Sequence, residues 1–215
     1  EAFWGKRYLV RTAPDIQGIA ARDVGLKLMG PLPVKAGLSY RVMYGSKATW
    51  EADKNPFDKT MGGITWHGST GFLIDAYVDW ESRPGPYDRS TVQFLVGRKT
   101  EQYTLGLEYT NQDREEDPDL ELASLMGVMK LGGPWSVMAQ LNRLFKPSVK
   151  GNDIAYIPFD PTAKATNVVA GVEYRFNRHF TVSPNIVWTR YSVNASGVKP
   201  DDDVHLRLTF YVNFE

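Results

Sequence analysis

The sequence predicts an all-β fold, a transmembrane antiparallel up-and-down β-barrel of about twelve strands, and three observations predict it. Apolar and polar residues alternate with period two almost from end to end, which is the pattern of strands with two unlike faces. Short turns and long polar loops take turns between those strands. Aromatic residues gather at strand ends, where amphipathic rings settle at the two membrane–water interfaces.

The alternation can be followed in chain order. Val24, Leu26 and Leu28 alternate with Asp23, Gly25 and Lys27; Ala36, Leu38, Tyr40, Val42 and Tyr44 with Lys35, Gly37, Ser39 and Arg41. Ile64 and Trp66 precede the clearest run, in which Phe72, Ile74, Ala76, Val78 and Trp80 oppose Asp75, Tyr77, Asp79 and Glu81. Val92, Phe94 and Val96 follow, then Tyr103, Leu105, Leu107 and Tyr109 against Thr104, Gly106 and Glu108. Segment 122–131, with Lys130 near its end, is apolar on both faces, so its orientation stays open. Trp135, Val137, Ala139 and Leu141 form the next strand, and Val168, Ala170, Val172, Tyr174 and Phe176 alternate with Asn167, Gly171, Glu173 and Arg175. Phe180, Val182, Ile186 and Trp188 precede a last strand that sets Leu206, Leu208, Phe210, Val212 and Phe214 against His205, Arg207, Thr209, Tyr211 and Asn213. Residues 3–11 make the poorest strand, because Lys6, Arg7 and Arg11 spoil both faces.

Turns are expected near 30–33, 68–70, 98–101, 132–134 and 177–179, and long loops near 12–21, 46–59, 82–90, 111–120, 146–165 and 192–203. Counting these connections gives an even number of strands with both termini on one side. Trp66, Phe72, Tyr103, Trp135, Tyr174, Phe176, Phe180 and Phe214 lie beside short turns; Tyr44, Trp80, Tyr109 and Trp188 lie beside long loops. A soluble sandwich also alternates, but so many large apolar residues would overfill one small core. The two aromatic girdles favour the membrane. There a sheet must close, since hydrocarbon satisfies no free backbone group.

Composition fits one domain over residues 1–215. Lys plus Arg equals Asp plus Glu, at 25 each, which lacks the basic excess of a nucleic-acid-binding protein. Cysteine is absent and aromatics make up 13%; an envelope protein can avoid cysteine as easily as use it. Mean hydropathy is −0.35, and no run approaches the roughly 20 apolar residues of a transmembrane helix. A barrel has such an average too, because only alternate residues face lipid. Glu1-Ala2-Phe3-Trp4 does not read as a signal peptide.

Phe210, Val212 and Phe214 resemble the alternating-aromatic terminal strand of outer-membrane porins, with Glu215 added after the last phenylalanine. Phe3-Trp4-Gly5-Lys6-Arg7-Tyr8, Ala21-Arg22-Asp23-Val24-Gly25 and Val42-Met43-Tyr44-Gly45 are faintly similar to the phosphate-selective O/P porin family. Its members have about sixteen strands, so this resemblance implies either a shorter relative or the C-terminal twelve strands of a larger porin. It also implies an integral protein of the Gram-negative outer membrane, with periplasmic termini and extracellular loops. Lipid and lipopolysaccharide would surround it; a homo-oligomer is an expectation by analogy alone.

With the apolar face toward lipid, the other face lines the interior. Expected pore-lining bases are Lys27, Lys35, Arg41, Lys130, Arg175 and Arg207; expected acids are Asp75, Asp79, Glu81, Glu108 and Glu173. The bases cluster on early strands, the acids on middle ones, and Arg207 extends the basic side if the barrel closes. Facing stripes of opposite sign would set a transverse field across a water-filled pore. The alternative is that these charges pair across a plugged barrel. Loop 146–165, with Tyr156, Ile157, Pro158 and Phe159, either folds inward as a constriction or stays an exposed loop. Asp117-Pro118-Asp119 and Asp201-Asp202-Asp203 read as solvated loop charge, because no spaced calcium-ligand motif appears.

An enzyme would need a base beside a nucleophile. Only His67, His179 and His205 are available, and the one near acid, Asp203, is two residues from His205 with no special spacing. The expected function is a porin-type channel for passive diffusion of small hydrophilic or charged solutes, without cofactor or metal. The alternatives are a non-conducting structural or adhesion barrel, or an outer-membrane hydrolase.

Overall fold

In the computed structural model, the described residues are 3–19, 24–33, 37–46, 58–148, 151, 157 and 159–214. They form one eleven-stranded antiparallel sheet in which every strand pairs with its neighbour in sequence. The strands are β1 Val24–Pro31, β2 Leu38–Ser46, β3 Asp58–His67, β4 Phe72–Ser82, β5 Arg89–Lys99, β6 Tyr103–Arg114, β7 Leu120–Gly132, β8 Trp135–Leu144, β9 Ala165–Arg175, β10 Phe180–Tyr191 and β11 Asp203–Val212. β1 and β11 are not paired with each other. Among the described residues one short α-helix, α1 Ala13–Ile16, precedes the sheet, and no described helix is long and apolar enough to cross a membrane.

The two faces are inverted relative to a soluble sheet. Leu26, Ile74, Phe94, Leu107, Trp188 and Leu206 all point outward and are exposed. Lys59, Asp79, Thr110, Gln140, Asn167 and Ser183 point to the other face and are buried. Where the sequence alternates clearly, the observed faces follow that alternation. Segment 122–131 resolves the same way: Leu122, Ser124 and Met126 turn inward while Leu125 and Met129 turn outward.

The strand expected over 3–11 does not form. Residues 3–19 are turns, coil and α1, and they run through the interior. Lys6, Arg7 and Arg11 cannot share a strand face with lipid, whereas inside they meet carboxylates. Phe3 lies against Gly97 of β5 and Gly106 of β6. Lys6 and Tyr8 both donate to Glu173 of β9, and Tyr8 stacks on Tyr211 of β11 at 4.3 Å. One short segment touches β5, β6, β9 and β11, so the sheet curls around it. Trp4, Leu9, Val10 and Ile16 pack with Met126, Met138, Leu144, Val169 and Val187 into an apolar core on the inner face of β7–β10. Ala13 and Ile19 pack on Leu120 and Leu122. That explains the second apolar face of β7: it receives this segment instead of lipid.

The segment starts beside the short turns, at Phe3, and climbs to the long-loop rim at α1. The twelfth traverse expected from the loop tally is thus a non-strand one. Turns 68–71, 100–102, 133–134 and 176–179 are short as expected. β6 runs on to Arg114 and β4 to Ser82, so loops 83–88 and 115–119 are shorter than the sequence suggested. Most of loop 46–59 lies outside the described residues.

On the short-turn rim the aromatic residues form a continuous belt. Trp135 meets Tyr174 at 4.6 Å, Tyr174 meets Phe176 at 4.6 Å, Phe176 meets Phe180 at 5.3 Å, and Phe180 meets Phe210 at 6.3 Å. Farther round, the Arg98 guanidinium sits 5.0 Å from the Phe72 ring and 5.8 Å from Tyr103. Ring quadrupoles attract such a cation.

Candidate functional site: the charged interior

The candidate site is the space between segment 3–19 and the inner faces of β1–β6. It encloses about 510 Å³ and is lined by Arg7, Asp15, Lys27, Arg41, Gln93 and Glu108 among others. Of the sequence-expected set, Lys35 lies outside the described residues. Lys27, Arg41, Asp75, Asp79, Glu81, Glu108, Lys130, Glu173, Arg175 and Arg207 stand on strands β1, β2, β4, β6, β7, β9 and β11, each with inner-face parity.

Three clusters hold five of them, Arg41, Asp75, Asp79, Glu81 and Glu173. In the first, Arg41 on β2 reaches over β3 to Asp75 on β4, with Nη1 to Oδ2 at 2.6 Å and Nη2 to Oδ1 at 2.7 Å. It also donates to the Thr65 hydroxyl at 2.8 Å. This two-pronged geometry is the strong form of a carboxylate pair. It is possible because Gly63 lies opposite Arg41 on β3: a Cβ there would sit 2.6 Å from the guanidinium carbon.

In the second, Lys59 on β3 stands 3.0 Å from Asp79 and 3.1 Å from Glu81, all three buried. Arg83 closes on Glu81 from the rim. Asp79 also accepts from Tyr77 at 2.7 Å. Lys59 is the key residue that sequence reading missed. It fell in an expected loop, because Asp58 and Thr60 give the first turns of β3 no apolar outer face to reveal its period.

In the third, Glu173 takes Lys6, Tyr8 and the Ser136 hydroxyl at 2.7 Å. This cluster fastens the inner segment to the wall. The segment is braced internally by Arg7, whose guanidinium is 2.8 Å from Asp15. Farther up, Gln93 donates to Glu108 at 2.7 Å.

The expected contrast of a basic stripe against an acidic one is therefore largely compensated where the acids stand. Lys27, Lys99, Lys130 and Arg175 make no ion pair with a described carboxylate. All four have inner-face parity and are exposed.

Loop 145–164 contributes Ile157 and Phe159 to the interior core, each buried to 2% exposure or less, so this loop turns inward there. Tyr156 and Pro158 lie outside the described residues. The acidic loop clusters are engaged by cations: Asp117 by Arg89 at 2.5 Å, Asp119 by Lys146 at 2.6 Å and Asp202 by Lys199 at 3.3 Å. Among the described residues no group of three potential ligands could hold a metal ion. Asp203 accepts from the Tyr191 hydroxyl at 2.7 Å. His179 Nδ1 lies 2.9 Å from the carbonyl oxygen of Asn213.

An up-and-down antiparallel sheet, curled around a polar interior with a segment folded inside it, is a porin-like arrangement. A comparison of folds agrees. The chain is similar to the anion-selective porin from Comamonas acidovorans, with a TM-score of 0.54 and 12% sequence identity. The match covers 87% of this chain and 55% of that one, so the chain spans about half the length of the porin. No protein-family model and no curated protein matches the sequence.

Proposed function

We propose that the protein is an outer-membrane channel through which small hydrophilic solutes diffuse passively, with the inner-face charges lining the path. The observation that carries this reading is the inversion of the sheet: the apolar face is exposed and the charged face is enclosed around a cavity. Lipid stabilises the first and water the second. Porin-like topology at low identity supports the fold half of the reading. In this placement the short-turn belt meets the periplasmic interface and the long loops the outside.

The cations without a described partner bias the interior toward anions. Lys27, Lys99, Lys130 and Arg175 attract counter-ions from both rims, and the acids are met locally by Arg41, Lys59 and Lys6. Planar-bilayer recording tests both claims. Stepwise currents are expected, with a reversal potential that reports higher anion than cation permeability in a salt gradient. Absence of steps removes the channel reading.

A second reading has its own observation. Segment 3–19 with Ile157 and Phe159 fills the β7–β10 side, and a fully occupied interior would make a non-conducting structural or adhesion barrel. The same recordings separate the two.

A further inference from the structure

We propose that the outer wall of β8–β10, at the long-loop rim, carries a seat for the phosphate of an anionic lipid headgroup, built by Arg143, Arg190 and Lys164. The inference rests on the membrane reading above and concerns the opposite face of the sheet. Arg143, Thr166 and Arg190 stand side by side, since Thr166 pairs with Arg143 on one flank and with Arg190 on the other. Arg143 leans across β9: its Nη1 donates to the Thr166 hydroxyl at 2.8 Å and its Nη2 to the Ser192 hydroxyl at 3.5 Å. That brings its guanidinium over the strand bearing Arg190. Ser192 donates its backbone N–H to the Lys164 carbonyl at 2.9 Å, which sets the exposed Lys164 beside it.

Three basic residues thus occupy neighbouring positions around two hydroxyls, and none of the three has an ion pair with a described carboxylate. Asp202, at the same rim, is paired with Lys199 at 3.3 Å. Like charges gathered in this way repel one another unless an anion sits among them. Elsewhere on the same rim the charges are mixed: Glu121 accepts from the Tyr109 hydroxyl at 3.0 Å, and Lys146 is held by Asp119. The basic collar is therefore local.

Just below it the wall turns apolar, with Leu141 and Trp188 exposed. A ligand with a phosphate above and acyl chains below matches both halves. Guanidinium pairs with phosphate through two parallel N–H donors, and the hydroxyls of Thr166 and Ser192 add further donors. Free phosphate would satisfy only the upper half, so the proposal commits to a lipid.

The test uses the whole chain in phosphatidylcholine nanodiscs doped with lipid A, a phosphorylated glycolipid. Native mass spectrometry after release reads the fraction of protein that retains it. Wild type is expected to retain lipid A over phosphatidylcholine. The Arg143→Gln/Arg190→Gln variant should retain it about tenfold more weakly, since each basic residue near a membrane surface favours anionic lipid. Arg143→Lys/Arg190→Lys should lie between them, because lysine keeps the charge and loses the fork. Equal retention by wild type and the Gln variant overturns the proposal, as does full displacement of lipid A by inorganic phosphate. Heat-modifiable migration of both proteins separates the cases. A variant that inserts normally yet binds equally defeats the seat alone, whereas a wild type that never inserts defeats the membrane reading and the seat with it.

Discussion

At the scale of single residues, the interior is organised by a few positions that allow a charge to cross a strand. Lys59 is the sharpest of them. It is 2% exposed and faces Asp79, which is fully buried, and Glu81. Removing one member of a buried ion cluster leaves the others uncompensated, at a cost of about 3–5 kcal/mol. Lys59→Met is therefore expected to lower unfolding stability in detergent by that order, as read from urea titration. Lys59→Met/Asp79→Asn should recover part of the loss, because one stranded charge is gone. A single variant as stable as wild type would mean that water reaches the cluster and screens it. Sequence alternation exposed Asp79 and Glu81 readily but hid their partner. A period-two pattern needs an apolar face to be seen, and Asp58 and Thr60 supply none.

At the scale of elements, segment 3–19 departs most from expectation, and the reason is physical. Its apolar residues Trp4, Leu9, Val10 and Ile16 do not alternate, and its cations would be stranded on a lipid-facing strand. The apolar inner face of β7 was the visible sign that something packs there, but the sequence does not say what. Two fastenings hold the segment: the Glu173 cluster and the glycine pair Gly97–Gly106, which leaves room for the Phe3 ring. Glu173→Gln is expected to speed hydrogen exchange over residues 3–10 while that of β5 and β6 stays slow. Unchanged exchange would show that the apolar contacts suffice. Among the loops, Asp119 and Lys146 tie 115–119 to 145–164. The Lys146 amine at 2.6 Å and the Arg114 N–H at 3.0 Å hold the Asp119 carboxyl below its ordinary value of 3.8. A carboxyl whose folded value is depressed contributes stability above its unfolded value and loses it as pH falls through the folded one. Loop proteolysis should therefore rise on acidification below about pH 4, and Asp119→Asn should abolish that dependence while raising cleavage at neutral pH.

At the scale of the whole molecule, the all-β up-and-down class, the facing of the clearly alternating strands and the short-turn girdle were legible, because each follows from a residue's immediate period or from its place beside a turn; the facing of β7, apolar on both sides, was not. The strand count was less so, since it depends on whether a traverse is hydrogen-bonded, and spacing alone does not report that. The curl of the sheet carries a further consequence. Among the described residues β1 and β11 each have one flank without a strand partner, while their outward residues Leu26, Leu28, Leu206 and Leu208 are as apolar and exposed as those of the central strands. Water tolerates such flanks, but hydrocarbon does not: each unsatisfied backbone group costs several kcal/mol there. If the apolar face meets lipid, the backbone groups of β1 and β11 that point away from β2 and β10 must find partners in the bilayer. Hydrogen exchange in lipid nanodiscs is expected to show those amides as slow as the amides of β5 and β6, and faster exchange in detergent, where water reaches the flanks. Fast exchange in lipid would mean that these strands border water, and the lipid-facing assignment of the outer wall would fall at its two edges first.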